Sequence, residues 1–200
     1  MACTALTKGR GLICDRIAGG IKYIYFGVYD EFDKAALTGE VMGTGIVRSA
    51  GSITDIEMGT ATGDLYRYAL PRGESSLTET ITGSTENGTI FYSPQITMKL
   101  NQLETDYQNQ LRLLAKSKLI IFAQLNQKLT NGHDVIVCLG PENGMRLNSG
   151  TNLSGAAYAD HNGYSWTFDG MEEEPMCTVA DYTTTPFDNS AFDINAIVLT

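Results

Sequence analysis

Apolar and polar positions alternate along most of this chain, and that period predicts β-strands. Tyr164-Ser165-Trp166-Thr167-Phe168 is the clearest case, with three aromatic side chains on one face. From Ile21 to Tyr29 the chain is dense in β-branched and aromatic residues. Ile21, Tyr23, Tyr25 and Tyr29 fall on one face and Ile24, Phe26 and Val28 on the other, so this strand should be covered on both sides. Further strands are predicted at 45–48, 52–58, 65–70, 76–82, 119–125, 135–139 and 177–179, with a terminal strand or arm at 194–199. The period changes once. Leu103, Tyr107, Leu111 and Leu114 recur at helical spacing, predicting a helix from Gln102 to Lys116 that packs this face on a sheet and turns Glu104, Asp106, Gln108 and Arg112 outward. Asn101 reads as its N-cap, with Glu104 closing a capping box. The fold class expected is mainly β, a sandwich or barrel with one amphipathic α-helix packed on the sheet.

Turn chemistry divides the strands. Asn87-Gly88 predicts a two-residue hairpin turn with φ > 0 at both positions, and Thr130-Asn131-Gly132-His133 predicts another hairpin. Asn143-Gly144 and Asn162-Gly163 mark two more turns, and Pro71-Arg72-Gly73 a bend or bulge. The chain reads as one domain over 1–200, with an N-terminal arm at about 1–20, a Gly-rich excursion at about 35–63 and a C-terminal arm at about 181–200. The excursion carries enough glycine to be costly to order alone. It is expected to be mobile in a monomer and to order against a neighbouring subunit.

Charge refines this picture. The formal net charge of −9 is unevenly spread: residues 1–146 nearly balance, whereas 147–200 hold eight acids and no Lys or Arg. Such a surface repels phosphate backbones, so a grip on nucleic acid is not expected. With no basic partner nearby in sequence, some of those acids should face an aqueous channel or meet bases of another subunit. Cys3, Cys14, Cys138 and Cys177 are scattered without C-x-x-C spacing, which favours reduced thiols over a disulfide framework or zinc site. No apolar run reaches the length of a membrane span, so no membrane anchor is expected. Met1 to Lys8 lack an apolar core with a cleavage site, and the expectation is synthesis and assembly in a cytoplasm.

Candidate chemistry is sparse. His133 beside Asp134 and His161 between Asp160 and Asn162 could serve a Ser/His/Asp or metal role, but both read better as exposed turn residues. Glu172-Glu173-Glu174 could bind a divalent cation or supply paired carboxylates, yet adjacent residues of an extended chain point apart, and a solvated acidic loop is the better reading. Trp166 could stack on a sugar, although its alternation also describes a core strand. No nucleophile elbow, zinc helix motif or Walker lysine is present. The expectation is therefore no catalytic, cofactor-binding or metal site, and no enzyme.

The order of parts carries a resemblance. Strands at 65–70 and 76–82, the Glu86-Asn87-Gly88-Thr89-Ile90-Phe91-Tyr92 hairpin, the helix and the strand at 118–124 resemble tail-tube-like proteins of tailed bacteriophages. Gly155 to Pro175, with its small-residue lead, Asn-Gly-Tyr strand and acid-Pro exit, is also similar. The resemblance covers roughly 60–180 and implies a tail-tube-type β fold in a structural virion protein. That protein would be a subunit of a homo-oligomeric ring, hexameric by analogy, in a tail tube, hub or head–tail connector. Its implied partners are like subunits and adjacent tail or connector proteins, with DNA only as passing cargo through the channel. The alternative from another class is a carbohydrate-binding β-sandwich using Trp166 and nearby Tyr side chains.

Overall fold

The computed structural model describes residues 9–10, 18–33, 40–42, 45–59 and 63–199. The alternating segments become β1 (Ile21–Val28), β2 (Glu40–Met42), β3 (Ile46–Ser49), β4 (Ser52–Glu57), β5 (Asp64–Ala69), β6 (Ser76–Ser84) and β7 (Thr89–Asn101). After the helix α1 (Thr105–Leu114) come β8 (Leu119–Lys128), β9 (Asp134–Leu139), β10 (Arg146–Leu153), β11 (Gly163–Asp169), β12 (Cys177–Val179), β13 (Phe192–Asp193) and β14 (Ala196–Leu199). Two sheets result. The larger runs β14-β5-β1-β8-β9-β12-β4-β3-β2, with β13 also on β4, and the smaller runs β10-β11-β7-β6.

The smaller sheet packs on one face of the larger. Ile96 and Met98 of β7 and Tyr164, Trp166 and Phe168 of β11 meet Ile24, Phe26, Ile121 and Val137 in the first core. The three aromatics predicted to share a face are all fully buried. The opposite face of the larger sheet lines a second core, where Leu65 of β5 meets Ile53 and Ile56 of β4 and Phe192 of β13. Strands so far apart in the sheet order share one cluster only if the sheet curls. The fold is a mainly β sandwich with one helix, and its larger layer is bent around its own core.

The helix lies where the two layers meet. Tyr107 contacts Tyr68 of the large sheet at 6.2 Å and Tyr164 of the small one at 6.4 Å, while Leu114 is buried and Leu111 half-buried. Glu104, Asp106, Gln108 and Arg112 are outward as expected, but Leu103 is exposed at the helix entry. The capping box does not form. The β7–β11 ladder claims Asn101 opposite Gly163, Gln102 turns at φ +71°, and the helix begins at Thr105 without a side-chain cap bond. The Tyr164 hydroxyl takes that role, accepting from Glu104 N–H at 3.0 Å and donating to Glu104 C=O at 2.9 Å. Gly163 is required beside it, since a Cβ there would sit 1.9 Å from the Leu100 carbonyl oxygen.

Three other expectations change. The Asn87-Gly88 hairpin exists, but Ser84 pairs with Thr89 around a four-residue loop, and only Gly88 of that turn has positive φ. In β1 a register shift between Ile21 and Tyr23 turns Ile21 into the first core with Ile24 and Phe26, away from Tyr23 and Tyr25. The described part of 35–63 is built into the larger sheet, with Ile46, Ile53 and Ile56 fully buried within one chain, so that part needs no neighbour to order it. The rest of that stretch and most of the N-terminal arm, with Cys3 and Cys14, lie outside the described residues.

The double use of one hydroxyl generates a test. Tyr164→Phe keeps the ring but leaves the helix entry to water, and should cost about 1–2 kcal/mol, the usual net worth of such bonds. A urea midpoint lowered at constant slope is the expected result. An unchanged midpoint would mean that this bond does not hold the helix entry.

Candidate functional site

Two neighbouring exposed apolar side chains, Ile81 and Ile90, are brought together by the β6–β7 hairpin. Cross-strand register puts Leu77, Glu79, Ile81 and Gly83 on one face of β6, opposite Ile96, Pro94, Tyr92 and Ile90 of β7. Near the root this face is core, since Ile96 is fully buried and Leu77 packs against it. β11 covers β7 only from Gln95 to Asn101, so from Ser93 outward β7 pairs in a ladder with β6 alone. The same face then continues into solvent, leaving Ile81 62% and Ile90 59% exposed. Glu79 interrupts this face and accepts from Met176 N–H at 2.7 Å, and beyond it the uncovered pair Ile81 and Ile90 is the surface expected of an assembly contact.

The hairpin is held at its root by the chain after β11. Tyr92 and Glu172 exchange both backbone hydrogen bonds, at 2.9 and 2.8 Å. The Glu172 side chain, 3% exposed, points to the turn between β9 and β10. It accepts from Glu142 N–H at 3.0 Å and from Asn143 N–H at 3.1 and 3.3 Å. Burial pushes its carboxyl up to about 7, against the opposing pull of those N–H groups. Glu172 is therefore not part of a solvated loop. Glu173 and Glu174 are exposed as expected, but Glu174 forms an ion pair with Arg48 at 3.0 Å. The carboxylates of the triplet diverge, and among the described residues no group of three or more His, Cys, Asp or Glu is placed to hold a metal ion.

His133 sits in its predicted turn but is engaged. Its Nδ1 lies 2.8 Å from Asp181 Oδ1, its ring stacks on Tyr182 at 4.3 Å, and Asn131 donates to the same carboxylate. The Tyr182 hydroxyl accepts from Asp134 N–H at 3.0 Å. This cluster fastens the start of the C-terminal segment to the β8–β9 turn. His161 is half-buried rather than exposed, with Nε2 enclosed and unpartnered. Trp166 has no exposed surface, so its ring cannot stack on a sugar.

Sequence reasoning missed a buried polar group beneath β1. Asp134 is 7% exposed, receives Lys22 Nζ at 2.5 Å and Gln124 Nε2 at 2.8 Å, and Gln124 in turn accepts from Tyr25 at 2.7 Å. Burial would raise the Asp134 carboxyl, but its bonds to Lys22 and Gln124 and the Lys22 charge outweigh it and hold the group below its ordinary value. The only forewarning was Asp134 directly before an apolar run. Cys138 and Cys177, both buried and free, face each other across β9 and β12, a proximity that 39 residues of separation concealed.

No family model, curated protein or solved structure matches this chain. Its candidate surface therefore rests on geometry alone.

The opposite shifts of these carboxyls divide the pH dependence of stability. Glu172 has a folded value above the unfolded one, so its contribution is complete below about 4.5 and is lost as pH rises to about 7. The unfolding free energy should fall across that window by about 2–3 kcal/mol on account of Glu172. Glu31, Glu57 and Glu142 are also raised and add in the same direction. Asp134 acts oppositely, its contribution being present above its unfolded value of 3.8 and lost as pH falls further. Urea titrations of wild type and Glu172→Gln at several pH values check this. The variant should show a shallower decline, and an identical slope would exclude Glu172 as a source.

Proposed function

We propose that this protein is a structural subunit of a phage tail, in the tube, hub or head–tail connector, and not an enzyme. It acts by forming a homo-oligomeric ring, hexameric by analogy, with adjacent tail or connector proteins stacked on it and DNA passing through its channel only as cargo. Assembly takes place in the host cytoplasm, and the finished protein resides in the virion without a membrane anchor. The observation that carries this reading is the projecting hairpin, whose core face extends uncovered through Ile81 and Ile90. A second copy of this chain is the occupant that fits, because ring closure repeats one heterologous contact around an axis, here the hairpin of each subunit on a complementary surface of the next.

Three features support the reading. The larger sheet ends on β14, an edge of Ala196-Ile197-Val198-Leu199 with no charged residue to deter pairing. Many short strands enclose two cores, so the hairpin projects from a firm base. The net negative charge lets a polyanion slide rather than adhere.

The decisive experiment is electron microscopy and sedimentation of the purified protein, with Ile81→Asn/Ile90→Asn as the control variant. Closed rings are expected from wild type. The variant should remain monomeric with a melting midpoint nearly unchanged, since exposed substitutions usually cost within about 0.5 kcal/mol. A wild type that stays monomeric at high concentration, or a variant that assembles like wild type, would defeat the reading.

A further inference from the structure

A cleft of about 530 Å³ separates the hairpin root from the β9–β10 turn. Thr78, Thr80, Ser93 and Pro94 form the hairpin wall, and Asn143 and Arg146 stand on the other. Both walls are tied to one residue. Glu172 holds the hairpin through its backbone bridge to Tyr92, and the turn through its carboxyl bonds to Glu142 and Asn143. Asn143 also donates its side-chain amide to Met171 C=O at 2.9 Å, so the turn is pinned from two sides of the same strand exit.

We propose that Glu172 is a protonation-dependent positioning residue for the assembly hairpin, its carboxyl fixing the cleft when ionised and releasing the turn wall when neutral. This rests on the reading of the hairpin as the contact between subunits. An ionised carboxylate accepts all of the N–H bonds directed at it. In the neutral acid one oxygen becomes a hydroxyl, a donor facing backbone donors, and the grip on the turn weakens. A hairpin whose base is fixed is preorganised and loses less freedom on docking. Assembly is therefore stronger with the carboxyl ionised, although the fold itself is more stable with it neutral. The value near 7 places this exchange close to physiological pH.

The groups around the carboxyl set the midpoint. Glu142 on the turn opposes ionisation, and Lys118 at the start of β8 favours it. Lys118 is itself held over the ring of Tyr29 at 3.4 Å, and the Tyr29 hydroxyl donates to the Glu142 carbonyl. Cys138 of β9, fully buried, also lies within the field of Glu172.

The test follows the Glu172 carboxyl carbon and the Asn143 and Tyr92 amides by NMR, in dilute full-length protein from about pH 5 to about 9. Sedimentation at assembling concentrations spans the same range for wild type and Glu172→Gln. Both amides should titrate with the carboxyl. Asn143 exchange, corrected for its intrinsic pH dependence, should be about tenfold slower on the ionised side, the worth of one charge-assisted bond. Wild-type assembly should weaken below that midpoint, and Glu172→Gln should show no such step. An Asn143 amide that ignores the carboxyl titration, or an identical assembly step in Glu172→Gln, overturns the proposal. Should that variant fail to fold, the wild-type titration decides alone. A protein monomeric at every pH whose two amides still follow the carboxyl refutes the ring but supports the coupling.

Discussion

The architecture depends on burying both faces of three adjacent strands. Ile120, Ile121, Phe122 and Ala123 follow one another along β8 and all are fully buried, as are Ile24, Tyr25 and Phe26 on β1 and Val137, Cys138 and Leu139 on β9 to within a few per cent. A strand turns successive side chains to opposite sides, so a run of this kind demands apolar cover above and below. The small sheet supplies it on one side. Among the described residues no other sheet covers the opposite side, and the larger sheet meets that demand by curling. Its own outer strands and the C-terminal segment close over Tyr25, Phe122 and Ile136. Phe187 enters that second core between Tyr25 and Phe122, at 5.0 and 5.2 Å from their rings, and holds φ +67° to do so. A bulky residue in that region is strained, and the buried contacts offset it.

Much of this was legible in the chain because it depends on local period. The strict alternation of Tyr164 to Phe168, the two covered faces of Ile21 to Val28 and the single helical stripe at Tyr107, Leu111 and Leu114 each survive in the structure. What was not legible depends on competition between distant segments. Asn101 has the chemistry of a cap, but pairing with Gly163 removes it, and a hydroxyl 60 residues away holds the helix entry instead. Phe187 and Phe192 are lone apolar residues in a polar run, and periodicity cannot distinguish such anchors from an exposed arm. Glu172 was hidden for a related reason. Among three identical neighbours, nothing local marks which one turns inward.

The acids of the last quarter meet a fate that sequence did not suggest. The expectation that some of them face a channel or meet bases from another subunit concerns an assembly. Within the chain several organise backbone: Asp188 accepts from Thr183, Thr184 and Thr185 N–H groups, and Asp160 from those of Ala156 and Ala157. Both carboxyls are held below their ordinary values by those bonds. Asp181 meets His133, and Glu174 meets Arg48. A carboxylate that gathers several N–H donors closes a loop without helix or ladder, which suits a region where strands are short and connections long.

The hairpin stands apart from this economy of internal contacts. Two strands paired only with each other are marginally stable in water, and apolar side chains on them add exposure without burial. Its outer half therefore depends on what holds its base. β11 ends its support at Gln95, and beyond it the hairpin root is held by the Gly170 N–H bond to Pro94 C=O at 3.1 Å and by the bridge from Tyr92 to Glu172. Placing a buried carboxyl at that point costs stability, because a turn closed by a neutral side chain would avoid desolvating a charge. The cost falls on a residue joining the turn, the strand exit and the hairpin root, within the field of Cys138 of the second core. A change at that residue therefore acts on how firmly the projecting element is aimed as well as on the stability of the fold.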